Sequence, residues 1–139
     1  MHKQIYVNLA VGSVEKSKAF FSQLGFTFEP KFTNDQAACM VIGENIYAML
    51  LAKDFFQTFT NKTLCNAKES AEALICLSCD SRAQVDQLAD KALAAGGAQP
   101  RPAQDHGFMY GRSIEDIDGH IWELMYMDPN APMLAADAT

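Results

Sequence analysis

Glu123 lies inside the run Ile121-Trp-Glu-Leu-Met-Tyr-Met127, whose other members are all apolar. An ionised carboxylate among such side chains costs several kcal/mol unless something pairs with it. Left without a charged partner, it is a candidate general base. Paired with a cation, it is structural or holds part of a ligand. Asp118-Gly119 precedes the run and reads as a two-residue turn, which places Ile114 opposite Glu123 and Arg112 one diagonal away on the same face. Arg112 then pairs with Glu123 or grips an anionic ligand group as a fork. A one-residue change of register would turn Arg112 to the other face.

Other chemistry-bearing residues are weaker candidates. Tyr6 and Asn8 can donate hydrogen bonds to an oxyanion or to Glu123 itself. Phe108, Met109 and Tyr110, between Gly107 and Gly111, suit the mouth of a cavity for a planar or apolar ligand. His106 and His120 read as exposed loop and turn residues rather than ligands. Asp116-x-Asp118-Gly has the start of a calcium loop without the remaining ligands. Cys76-x-x-Cys79 lies in a strand-like run, where residues three apart point to opposite faces, so two small buried hydrophobes are expected rather than a metal or redox pair.

These residues need elements to position them. Residues 5–11 read as a strand, and Ser13 caps a helix that Gly25 closes. FTFEPKFT, QAACMVIG and NIYAMLLA are three further strands, separated by Asn34-Asp35 and Gly43-Glu44-Asn45 turn signals. Residues 53–59 read as a short helix and 60–72 as a polar connection. The order then repeats. ALICLSCD is a strand, Ser81 caps a helix stopped by Gly96-Gly97, and AQPRPAQ, GFMYGRSIE and HIWELMYM are strands. The chain reads β-α-β-β-β twice. Module one covers about 4–52, a linker about 53–72 and module two about 73–128 of a single domain, with a frayed tail at 129–139.

Strand alternation divides each module into two faces. Val7, Leu9 and Val11, with Ile75, Leu77 and Cys79, are expected under the helices. Tyr47, Met49 and Leu51, and Trp122, Leu124 and Tyr126, are expected to join them. The opposite face then carries Tyr6, Asn8, Ala48, Leu74, Cys76, Glu123 and Met125. A mixed apolar and polar face of this kind, curled, suits a small-molecule cavity.

The chain has 139 residues, 49% of them hydrophobic, and a net charge of −6 without a Lys/Arg cluster. That size suits one domain. The charge argues against nucleic acid and anionic membrane surfaces. Absence of a long apolar run or a signal-peptide pattern implies a cytoplasmic protein.

The stretches VNLAVGSVEKSKAFFSQLGF, LSCDSRAQVDQLADKALAAGG and GFMYGRSIEDIDGHIWELMYMDP, with the doubled βαβββ order, resemble the vicinal oxygen chelate superfamily. This superfamily includes glyoxalase I, bleomycin-resistance proteins, fosfomycin-resistance enzymes and extradiol dioxygenases; the nearest group is the lactoylglutathione-lyase-like proteins of bacteria. The resemblance implies an α+β fold of two βαβββ modules forming a curled mixed sheet around a cavity, and a homodimer. It also implies a divalent-metal site with a His on the first strand and a carboxylate on the last strand of each module. Those positions fall on Tyr6 (with Asn8 one pleat away), Ala48, Leu74 and Glu123, so only Glu123 matches. The expectation is therefore a protein that binds a small organic molecule without a metal cofactor, through Tyr6, Asn8, Cys76, Phe108, Tyr110, Arg112 and Met125. The alternative is a glyoxalase-type lyase or isomerase with Glu123 as catalytic base or metal ligand. A third reading, a structural or regulatory partner protein, has no residue in its favour.

Overall fold

The computed structural model describes residues 1–130; of the tail assigned to 129–139, residues 131–139 lie outside the described residues. Ser13 ends the first strand, β1 (Ile5–Val11), and starts the first helix, α1 (Val14–Gln23). Its extended backbone leaves its hydroxyl free to accept from the Lys16 N–H, one of the amides a helix start leaves unpaired. Gly25, at φ +101°, turns the chain out of the helix. Ser81 repeats the device for α3 (Arg82–Ala94), accepting from the Gln84 N–H, and Gly96 at φ +108° ends it.

Module one continues as β2 (Thr27–Phe28), β3 (Ala37–Gly43) and β4 (Ile46–Ala52). A short helix, α2 (Lys53–Phe56), and one 3-10 turn open the connection, as expected for residues 53–59. Module two comprises β5 (Leu74–Ser78), α3, β6 (Gln104–Asp105), β7 (Met109–Glu115) and β8 (Ile121–Met127). The strands form two mixed four-stranded sheets, ordered β1-β4-β3-β2 and β5-β8-β7-β6. In each sheet the first strand lies parallel to the last strand of its own module. Two expected strands are much shorter than the sequence suggested. Pro30 starts a 3-10 turn after β2, and in AQPRPAQ the chain leaves β7 after a single bridge from Ala98 to Glu115 and rejoins it only at Gln104, because Pro100 and Pro102 have no N–H to give.

The helices and the inner sheet faces share one core. Parallel pairing sets Val7 beside Ala48 and Leu9 beside Leu50 in one sheet, and Ile75 beside Trp122 and Leu77 beside Leu124 in the other. Ala48 and Leu50 are fully buried against this core. The expected orientation of β4 is thus reversed: Ala48 and Leu50 face the helices, while Tyr47, Met49 and Leu51 share the opposite face with Tyr6, Asn8 and Ala10. Both alternating sets of β4 are apolar, so the pattern alone does not choose between them. The other three sets lie where the alternation placed them. Phe21 of α1 meets Trp122 of β8 edge-on, with ring centroids 5.4 Å apart, so the core crosses between modules.

The Asp116–His120 loop fastens the modules together. Asp118 accepts the Gly12 N–H at 2.8 Å and the hydroxyl of fully buried Ser17 at 3.0 Å. The His120 ring donates from Nε2 to the Ala10 carbonyl at 2.7 Å. Asp116, buried, accepts the Trp122 indole N–H and the backbone N–H groups of Asp118 and His120. Burial raises the Asp116 pKa despite these donors. Gly119 is left-handed (φ +93°) and lies so close under the connection that an added Cβ would stand 2.7 Å from the Lys68 nitrogen.

Candidate functional site

Glu123 projects from the face of β8 that the helices do not cover, and it is paired. Arg101 Nη2 lies 2.9 Å from Glu123 Oε2, and the Ser113 hydroxyl donates to the same oxygen at 2.9 Å. Arg101 Nε also donates to Ser113 Oγ at 3.2 Å. Ser113 is buried, the Glu123 side chain is 22% exposed and Arg101 is 55% exposed, so the cluster is closed at its base and open at its top. A guanidinium on a carboxylate is a charge-assisted contact. It answers the cost of placing Glu123 in an apolar strand.

The partner is not the one expected. Arg112 was expected on the Glu123 face, but Ser113 stands opposite Glu123 instead of Ile114. The connection is a five-residue loop, 116–120, in place of a two-residue turn, and the one-residue offset sends Arg112 to the helix side. There Arg112 donates to Asp86 at 3.1 Å, Asp90 at 3.0 Å and Gln99 at 2.8 Å. Burial pulls its pKa down, and the hydrogen bonds to Asp90 and Asp86 more than restore it. Tyr110 goes with it, donating to Asp86 at 2.6 Å with the Arg82 guanidinium 5.0 Å from its ring centroid. Tyr110 and Arg112 thus belong to a polar seam between α3 and β7 rather than to the Glu123 face. Phe108 is half-buried in the loop before β7, its ring 6.3 Å from that of exposed His106.

Cys76 and Met125 do share the face of Glu123. Cys76 is its direct parallel neighbour, and Met125 is two residues along the strand. Burial, with Glu123 adding to it, pushes the Cys76 thiol up. Cys79 is buried on the other face, so the Cys-x-x-Cys pair cannot share a ligand. Tyr6 and Asn8 lie on the corresponding face of module one, where Tyr6 stacks on Tyr47 at 4.8 Å. Arg101 was missed from the sequence. It lies in irregular chain between Pro100 and Pro102, where no periodicity indicates a face, and those two prolines were the only local signal of a pinned residue.

The register also relocates one position of the metal set. Helix-facing Val7 and Leu9 correspond to Ile75 and Leu77, so Asn8 corresponds to Cys76. Asn8 pairs with Met49, and Cys76 with Glu123. Met49, rather than Ala48, is therefore the counterpart of Glu123. The set becomes Tyr6, Met49, Leu74 and Glu123: a phenol, a thioether, an alkyl group and a carboxylate that already holds Arg101. This donor set does not fit a divalent metal that favours oxygen and imidazole ligands. Among the described residues no three His, Cys, Asp or Glu side chains converge.

Glu123 lines neither of two cavities that lie beside the 56–73 connection. The larger, about 710 Å³, runs between β1, the start of β5 and β8, and the 56–73 connection. The smaller, about 300 Å³, adjoins it beside Asp118 and His120.

Paired βαβββ modules, with a parallel first and last strand in each, define the class of fold. The chain belongs to the Glyoxalase/Bleomycin resistance protein/Dioxygenase superfamily, whose family model matches residues 3–124. It is similar to hypothetical protein SA1046 from S. aureus, with 28% identity over 91% of this chain and 94% of that one and a TM-score of 0.77. A glyoxalase-related enzyme from Fulvimarina pelagi shares the fold at 21% identity, TM-score 0.75, over 100% of this chain and 96% of that one. TioX from Micromonospora sp. ML1 does so at 18% identity and TM-score 0.63, over 91% and 99% of the two chains. No curated protein matches the chain.

Proposed function

We propose that this protein binds a small organic molecule on the open face of the β5-β8-β7-β6 sheet, without a metal, and works as a homodimer in the cytoplasm. The observation that carries the reading is the Arg101–Glu123–Ser113 cluster. The one carboxylate in the family's ligand positions is already committed to a guanidinium and a hydroxyl. Around it, Cys76 and Met125 offer a mostly apolar floor. Such a surface suits a flat apolar ligand carrying one hydrogen-bonding group for exposed Arg101. Exposed Ile5, Tyr6, Ile46 and Leu74 support a second copy covering the open faces.

The competing reading is a glyoxalase-type lyase or isomerase with Glu123 as base. There Glu123 takes the proton on Oε1, the carboxylate oxygen that neither Arg101 nor Ser113 holds. A thermal-shift screen of planar aromatic amides and carboxylates, followed by amide chemical-shift mapping, tests the choice. The proposal expects stabilising compounds to move Cys76, Glu123 and Met125, and Arg101→Ala to weaken them. Compounds that bind while leaving those amides unmoved would sink it. So would turnover of a glutathione hemithioacetal that is lost in Glu123→Gln.

A further inference from the structure

We infer that the groove between the modules is a second, separate binding site, for an amphiphilic anion: an apolar chain ended by a carboxylate or phosphate. The groove consists of two adjoining cavities that share Ala10, Leu64, Cys65, Ala67 and His120 in their walls. Its ends differ in chemistry. The large end is walled by Val7, Leu9, Phe56, Phe59, Ile75 and Ile121. Phe59 is 64% exposed, its ring meeting that of Phe55 edge-on at 5.2 Å. The small end carries Lys53 and Lys68. Among the described residues neither ammonium group has a carboxylate partner, although the chain holds 17 acidic residues against 11 basic ones. Asp118 lines the same end, hydrogen-bonded to the Gly12 N–H and the Ser17 hydroxyl, and its charge offsets one of the two ammonium groups, leaving that end cationic by one charge. Lys62 and Glu72 line the large end and offset each other in charge.

A groove apolar at one end and cationic at the other matches an apolar chain with one anionic head. Its larger cavity, about 710 Å³, is in the range of small-molecule pockets, roughly 300–1,000 Å³. It requires nothing of Glu123, so it stands whether or not the sheet face binds a ligand.

The position of the cysteines supplies the test. Cys65 is exposed and lines both cavities; Cys76 is exposed on the Glu123 face; Cys39 and Cys79 are buried and report unfolding. Iodoacetamide labelling of each thiol is followed by mass spectrometry with decanoate, decyl phosphate or decyltrimethylammonium. Both anions are expected to slow Cys65 about five-fold at about four times Kd, with Cys76, Cys39 and Cys79 unchanged. A larger effect of one anion identifies the preferred head. Lys53→Ala/Lys68→Ala is expected to raise Kd about three- to ten-fold, as the loss of exposed charge pairs does, leaving Cys65 slowed only about 1.4- to 2.3-fold at the same concentration. Equal protection by the cation overturns the proposal, as does protection of Cys76 in place of Cys65, or no protection. Protection of Cys65 by raised protein concentration alone also overturns it, because a second copy would then fill the groove.

Discussion

Gly119→Ala separates two costs that the loop joining the modules carries together. The first is conformational: a side chain at φ +93° costs about 1–2 kcal/mol. The second is steric. The new Cβ would lie 2.7 Å from the Lys68 nitrogen and 2.8 Å from the Ala67 carbonyl carbon and oxygen, all backbone atoms that cannot rotate away. Forced repacking of this kind costs about 1–3 kcal/mol. The total is about 2–5 kcal/mol, or a Tm lower by roughly 6–20 °C for a domain of this length. Gly25→Ala supplies the comparison, with φ +101° and nothing within 4 Å of its Cβ. It should lose about 1–2 kcal/mol. Urea denaturation of both variants gives the difference, and limited proteolysis should cut residues 60–72 faster in Gly119→Ala only. Equal losses in the two variants, with unchanged proteolysis, would refute the claim that the connection is seated on Gly119.

Asp118→Ala should cost about 1–3 kcal/mol by stranding the Ser17 hydroxyl in the core. In urea melts the Ser17→Ala/Asp118→Ala pair should then lose less than the sum of the single changes. Acid should weaken the outer seam of module two. The hydrogen bond from Arg82 holds Asp105 well below the usual carboxylate range, and that from Tyr110 lowers Asp86. Because folding depresses both pKa values, their stabilisation is complete above the unfolded value, about 3.9, and is lost as pH falls from there toward the folded values. Asp116, raised by burial, acts in the opposite sense and regains stability on protonation. Urea midpoints at falling pH should therefore drop below about pH 4 in the parent and drop less steeply in Asp105→Asn. Glu123→Gln should speed alkylation of Cys76, because the charge that helps hold its thiol up is gone; an unchanged rate would contradict the closeness of the two side chains.

The sequence carried the doubled element order plainly because its signals were local. Ser13 and Ser81 cap helices, Gly25 and Gly96 end them, and the alternation of β1, β5 and β8 separates a core set from an open set. It was ambiguous where the deciding contact is non-local. β4 is apolar on both faces, so only its pairing with β1 tells Ala48 from Met49. The partner of Glu123 turned on whether the loop before β8 has two residues or five, a difference of one register step that exchanged Arg112 for Ser113. Arg101 approaches from a proline-flanked stretch with no period to read. The Asp-Gly-His sequence was legible as a turn, but its role in joining the modules depends on Gly12, Ser17 and Ala10, more than 100 residues away.

The central claim is that Glu123 is a carboxylate held by Arg101 and Ser113 on a ligand-binding face, and not one arm of a metal site. Protein purified without a histidine tag should be saturated in turn with zinc, nickel, iron and manganese, passed through a desalting column and assayed by elemental mass spectrometry. The account predicts far less than one equivalent of any metal per chain, unchanged by Glu123→Gln. One retained equivalent that disappears in Glu123→Gln would contradict it.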